Sequence, residues 1–211
     1  MLNTRQKNIV AISAYTALGN PEKMKEAFNQ GLDDGMTINE INEEMAHLYA
    51  YCGFAASVRG TNILKEVVGE RIEKGQKTEQ GREASQIQDP RSKYERGESA
   101  QEIVTGMTAS QLKEAFSFNP VLDTFLKEHL FADIFGSDIL SYTDRELITV
   151  AALVTMSEPL VKPHFGGALN VGTSQSQINE LLDFIKKNID ETASDIGQDL
   201  FEKVLQERSN S

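Results

Sequence analysis

The side chains best equipped for chemistry in this 211-residue chain fall in two short segments. One runs from Thr143-Asp-Arg-Glu146 to His164-Phe-Gly-Gly-Ala-Leu-Asn170 and carries an acid and an imidazole. An imidazole titrates close to neutral pH, so His164 needs only modest tuning to deliver a proton. Glu146 is then the group to hold or recharge that ring, as the acid and its orienter do in a proton relay. The other segment is His47-Leu-Tyr-Ala-Tyr-Cys-Gly53. His47 and Tyr51 lie four residues apart, so a helix places them on one face, where they can line a pocket with His164. Beside them is Cys52, the one cysteine of the chain.

Each candidate also has a plainer reading. A first helical turn favours an acid such as Glu146 through the helix dipole alone. His164, following Pro163, can simply satisfy a neighbouring carbonyl. Cys52 stands toward a helix C-terminal break at Gly53, which works against a lowered thiol pKa, so buried packing suits it better than catalysis. His129 reads as a surface residue. The three histidines are too far apart in sequence to show the paired spacing of a metal site, and no metal or cofactor is expected. One cysteine excludes an internal disulfide and a Cys-x-x-Cys pair. Gly166-Gly167 is too short for a phosphate loop and fits a close helix–helix approach.

The net charge of −11 argues against nucleic acid and anionic membranes as partners. The first residues lead into a helical pattern without the order of a signal peptide, and no apolar run approaches the ~20 residues of a membrane span. The expectation is a soluble, cytoplasmic protein.

Helices must position these groups. Apolar residues recur at helical spacing in 2–18, with Thr4 as N-cap and a stop at Gly19-Asn-Pro21, and again in 22–34 before Gly35. Thr37-Ile-Asn-Glu40 is a capping box that opens a helix interrupted at Gly53. From 70 to 99 the chain turns polar and reads as a solvated linker or insertion. Order resumes at Ala100, with a further amphipathic run over 119–131 whose Pro120 suits a first turn. No run shows strand period, so the fold class is all-α.

The two ends of the chain repeat each other. Residues 2–21 align with 140–159 and 28–67 with 165–204, with identities at Leu32 and Leu169, Gly35 and Gly172, Ile41-Asn-Glu43 and Ile178-Asn-Glu180, and Gly60 and Gly197. This divides the chain into a first repeat (1–69), the polar linker (70–99), and leader helices followed by a second repeat (100–211). The reactive positions are split between the copies: Glu146 faces Asn8 and His164 faces Ala27, whereas His47, Tyr51 and Cys52 face Phe184, Asn188 and Ile189. That split predicts one composite site.

The run from Phe131 through Tyr142-Thr-Asp-Arg-Glu-Leu-Ile to His164-Phe-Gly-Gly-Ala-Leu-Asn-Val-Gly172 resembles the carboxymuconolactone decarboxylase family, and Tyr49-Ala-Tyr-Cys-Gly-Phe-Ala-Ala56 resembles a segment that follows it in single-copy members. The resemblance implies an all-α fold built on a helical hairpin of the alkylhydroperoxidase D-like type, and homo-oligomers, trimers or hexamers. It also implies cofactor-free decarboxylation of a small lactone or cyclic carboxylic acid. On that reading His164 and Glu146 are catalytic, and His47, Tyr51, Cys52 and Arg145 bind substrate. Family members carry His-Leu-Arg where this chain has His164-Phe-Gly166, which removes a cation that could hold a substrate carboxylate. The related peroxidases use a Cys-x-x-Cys pair, and here Ser157 and Leu160 stand in its place. Two alternatives remain open: a peroxidase or peroxiredoxin-type antioxidant protein using Cys52 alone, and a non-enzymatic oligomeric binding module.

Overall fold

The computed structural model describes residues 1–210, and the described residues hold ten α-helices, one π-helix and no strand. The all-α reading therefore holds.

The first three helices are α1 (Thr4–Leu18), α2 (Pro21–Asp33) and α3 (Ile38–Glu73). Asn3, one residue before the expected cap, caps the start of α1: its side chain accepts the Gln6 N–H while the Gln6 side chain accepts the Asn3 N–H. Thr37 and Glu40 form the capping box that opens α3. Gly53 breaks this helix with φ 80° and ψ 160°, angles that a side chain would oppose.

The non-helical stretch is shorter than the polar composition suggests, because α3 runs to Glu73 and α4 (Lys93–Thr105) begins at Lys93. Between them the exposed chain is tied down. Ile38 and Asn39 donate their N–H groups to the carbonyls of Glu79 and Gln80, both at 2.9 Å, and Ser85 N–H reaches Asp138 at 2.9 Å.

After α5 (Ala109–Ala115) and α6 (Pro120–Thr124) comes the π-helix Phe125–Ile134. The amphipathic run around Pro120 thus becomes one α-turn and a wider coil. Gly97 of α4 lies against it so closely that an added Cβ would fall 1.7 Å from the Lys127 carbonyl oxygen. The Lys127 ammonium is fully buried and held by Asp123 at 2.9 Å, the Tyr94 hydroxyl at 2.8 Å and Glu98 at 3.3 Å. Burial works to lower its pKa, and these hydrogen bonds outweigh burial and raise it.

The last four helices are α7 (Tyr142–Thr155), α8 (Val161–Asn170), α9 (Gln175–Asn188) and α10 (Glu191–Ser209). α7 is the centre of the molecule and packs on α1, α3, α8, α9 and α10. Leu147, Ile148, Ala151 and Ala152 are wholly buried. Each large side chain there contributes about 1.5–3 kcal/mol, more than the ~1 kcal/mol of the Ser141–Asp144 capping box that starts the helix.

The hydrogen bonds repeat along with the sequence. Ser57 Oγ donates to the Met45 carbonyl at 2.6 Å, and Ser194 Oγ donates to the Leu182 carbonyl at 2.8 Å. Met36 N–H bonds to Gly31 O and Thr173 N–H to Ala168 O, at 2.8 and 2.9 Å. Gly19 and Ser157 end the matching helices α1 and α7 with φ 71° and 53°.

Candidate active site

α7 carries Glu146 inward and α8 carries His164 across to meet it. Glu146 is fully buried, and its Oε2 lies 3.1 Å from His164 Nδ1. Gly167 makes the approach possible, since a Cβ there would stand 3.0 Å from Glu146 Oε2 and 3.2 Å from Val104 Cγ1. Gly166 has no such role, because an added Cβ meets nothing within 4 Å. The close-approach explanation therefore applies to Gly167 alone.

With Nδ1 bonded to the carboxylate, the proton on that nitrogen is fixed and Nε2 is the nitrogen left to act. His164 keeps a quarter of its side chain accessible, 24 %, whereas Glu146 has none. An imidazole reachable from outside and backed by a buried carboxylate can exchange protons with a ligand and with solvent.

His164 opens onto a cavity of about 440 Å³. One wall is Tyr51 and Ala50 of α3; α4 contributes Gln101, Val104 and Thr105; Leu126, Leu130 and Phe131 of the π-helix close another side. Most of this lining is apolar. Tyr51 meets the His164 ring edge-on, with centroids 5.4 Å apart and planes at 85°. The cavity thus joins the first half of the chain to Glu146 and His164 of the second.

Of the residues expected to bind substrate, only Tyr51 lies on the cavity wall. Its hydroxyl is buried without a hydrogen-bond partner, and so is Glu146 Oε1. Burial, then the Glu146 charge, pushes the Tyr51 pKa above the ordinary tyrosine range.

His47 sits behind Tyr51, wholly buried, with ring centroids 5.2 Å apart. Its Nε2 is 2.9 Å from Thr149 Oγ1 and its Nδ1 is 3.5 Å from Arg145 Nη1. A guanidinium only donates, so Nδ1 accepts and Nε2 carries the proton to Thr149. Burial, then the charges of Arg145 and His164, holds the His47 pKa well below the ordinary value. His47 is a neutral strut.

Arg145 is also wholly buried and away from the cavity. Its Nη2 donates to Glu43 Oε1 at 2.6 Å and to the Ser137 carbonyl at 2.9 Å. One residue along α7 turns the side chain by about 100°, so Glu146 faces α8 while its neighbour faces α3.

Cys52 is half-buried, packs against the main core and does not line the cavity. Burial pushes its thiol up to about 11. His129 lies outside the site, its ring 5.5 Å from Tyr49 and its Nδ1 3.6 Å from Asp133. Among the described residues, no three or more His, Cys, Asp or Glu side chains are grouped to hold a metal ion.

Sequence reasoning missed the wall supplied by α4 and the π-helix. Val104 was visible there as an apolar residue at helical spacing. Gln101, 2 % exposed and with its Oε1 unpartnered, carried no signal.

Comparison with known proteins adds to this geometry. A search of curated proteins finds no match. The solved structure of a candidate gamma-carboxymuconolactone decarboxylase subunit from Burkholderia xenovorans LB400 superposes with a TM-score of 0.56 at 20% identity, covering 98% of this chain and 80% of that one. This likeness shows the fold. Residues 120–185, which hold the π-helix, Glu146 and His164, match the model of the carboxymuconolactone decarboxylase family.

Proposed function

We propose that this protein is a cofactor-free carboxy-lyase that removes CO₂ from a small cyclic or lactone carboxylic acid, with His164 as proton donor and Glu146 as the group that holds it. The observation that carries this reading is the 3.1 Å contact between Glu146 and His164 at the wall of an apolar cavity of about 440 Å³.

Decarboxylation needs a place where a carboxylate is poorly stabilised, a proton for carbon, and a path by which that proton is replaced. An apolar lining supplies the first, because the charge concentrated on a carboxylate spreads over a conjugated ring as CO₂ departs. For a γ-carboxy butenolide, the bond between ring carbon and carboxylate breaks and its electron pair enters the ring. The resulting dienolate places negative charge on the lactone oxygen. His164 Nε2–H then protonates the ring carbon next to the lactone carbonyl. The neutral imidazole regains its proton from water at its exposed edge, while Glu146 keeps hold of Nδ1–H. Tyr51, packed edge-on, and His47 behind it fix the plane of the ring.

Repeats 1–69 and 100–211 together make this site on the same reading, since Tyr51 comes from one and Glu146 and His164 from the other. The peroxidase alternative has less support, because the Cys52 thiol is pushed up to about 11 and lies off the cavity.

Incubating the protein with 4-carboxymuconolactone and with γ-carboxy butenolides bearing one carboxylate, and following CO₂, tests the proposal. Loss of the general acid typically costs about 10²–10⁴ in rate, so His164→Ala should fall by that much. Equal rates for the two proteins, or no CO₂ from any of these lactone acids, overturns it.

A further inference from the structure

The charges on the cavity wall restrict what the cavity admits. Its lining holds one carboxylate, Glu158, one imidazole, His164, and, among the described residues, no lysine or arginine. Glu158 stays in place by accepting the Leu160 N–H at 3.1 Å. The buried cations next in sequence to site residues are already engaged, Lys127 by Asp123 and Glu98, and Arg145 by Glu43.

A ligand carboxylate entering this space therefore meets a single side chain able to carry a positive charge, the His164 ring. A second carboxylate on the same ligand would find no partner in a low-dielectric lining and would face Glu158. An unpaired buried charge is among the costliest things a binding site can accept.

Gln101 is the complementary feature. It reaches the cavity from α4, is 2 % exposed, and its Oε1 is buried without a hydrogen-bond partner. An amide offers a donor and an acceptor exchanged by one rotation, so it suits a ring carbonyl. It stands on a different helix from His164, which lets one ligand touch both.

We infer that the cavity selects a monocarboxylic acid on an apolar ring body and that Gln101 hydrogen-bonds the ring carbonyl. The inference rests on the carboxy-lyase reading for the identity of the site. It is tested by binding alone, with saturated lactones that lack the conjugation needed to lose CO₂.

Calorimetry on the full-length protein at neutral pH would compare three probes: 2-benzyl-5-oxotetrahydrofuran-2-carboxylate, its para-carboxybenzyl analogue, and 2-benzyltetrahydrofuran-2-carboxylate, which lacks the carbonyl. The monocarboxylate lactone should bind at least about tenfold tighter than the dicarboxylate, and about threefold to tenfold tighter than the probe without a carbonyl, the usual worth of one net hydrogen bond. Gln101→Met and Gln101→Leu should each abolish the second preference and leave the first intact. Glu158→Gln should narrow the first and leave the second. Comparable affinity for mono- and dicarboxylate, an unchanged carbonyl preference in both well-folded Gln101 variants, or binding of none of the probes overturns the inference. Selective binding without CO₂ release from conjugated substrates would defeat the carboxy-lyase reading and leave this one standing.

Discussion

Wholly buried Glu146 and partly exposed His164 hydrogen-bond each other, and His164 opens onto a space large enough for a ligand. Cys52 shows the contrast. With its thiol pushed up to about 11, it is protonated at neutral pH and gains thiolate only as the solution approaches that value. Cys52→Ala should therefore leave CO₂ release unchanged, and hydrogen peroxide at pH 7 should leave the wild-type thiol titratable by a chaotrope-plus-thiol-reagent assay. Rapid loss of that thiol would contradict this account of the residue. The pair was legible in the sequence because Glu146 and His164 stand in a patterned segment with few other reactive side chains. Arg145 was not: neighbouring residues look equivalent in sequence, but the helical turn sends one to His164 and the other to Glu43. Gln101 was missed because a glutamine in a polar helix looks like any solvated residue until the π-helix covers it.

At the scale of elements, the site depends on how closely α4 and the π-helix approach, since they form the side of the cavity facing α8. Gly97 sets that approach. Gly97→Ala places a Cβ 1.7 Å from the Lys127 carbonyl oxygen, and because that contact is backbone it can be relieved only by moving a helix. The expected cost is about 3 kcal/mol, read as a lower urea midpoint at unchanged slope, together with weaker ligand binding as the wall shifts. An unfolding free energy within about 0.5 kcal/mol of wild type would show that the two helices separate freely. The helices of the repeats were readable from capping boxes and apolar spacing, and α3 starts at Thr37 as its box predicts. The π-helix was not readable, because its period differs from the 3.6 residues that sequence patterns report. The span over 74–92 looked detached because its composition is polar, and its order comes from backbone hydrogen bonds to Ile38 and Asn39 that composition does not encode.

Across the whole molecule, the positions that align in sequence, Ser57 with Ser194 and Met45 with Leu182, make similar hydrogen bonds, and α1 packs against α7. A second buried carboxyl, that of Glu44, lies outside the cavity lining. Glu44 is fully buried, Ser13 Oγ donates to its Oε1 at 2.7 Å, and its Oε2 has no hydrogen-bond partner. Burial raises its pKa well above the ordinary value. The folded state then binds a proton that the unfolded state releases near pH 4.5, so this group's contribution is fully present below that pH and is lost as pH rises through the raised value. Glu44→Gln keeps an acceptor for Ser13 and removes the charge; it should match wild type near pH 4.5 and exceed it by about 1–2 kcal/mol at pH 8. Parallel stability curves for the two proteins would contradict this. The central claim, that His164 is the proton donor of a decarboxylation, is tested most directly by turning over a γ-carboxy butenolide in D₂O and reading deuterium at the carbon next to the lactone carbonyl. The account predicts that the wild type places one deuterium on a single face, and that the residual product of His164→Ala carries it on both. Deuterium on both faces with the wild-type protein, or a single face preserved without His164, would contradict it.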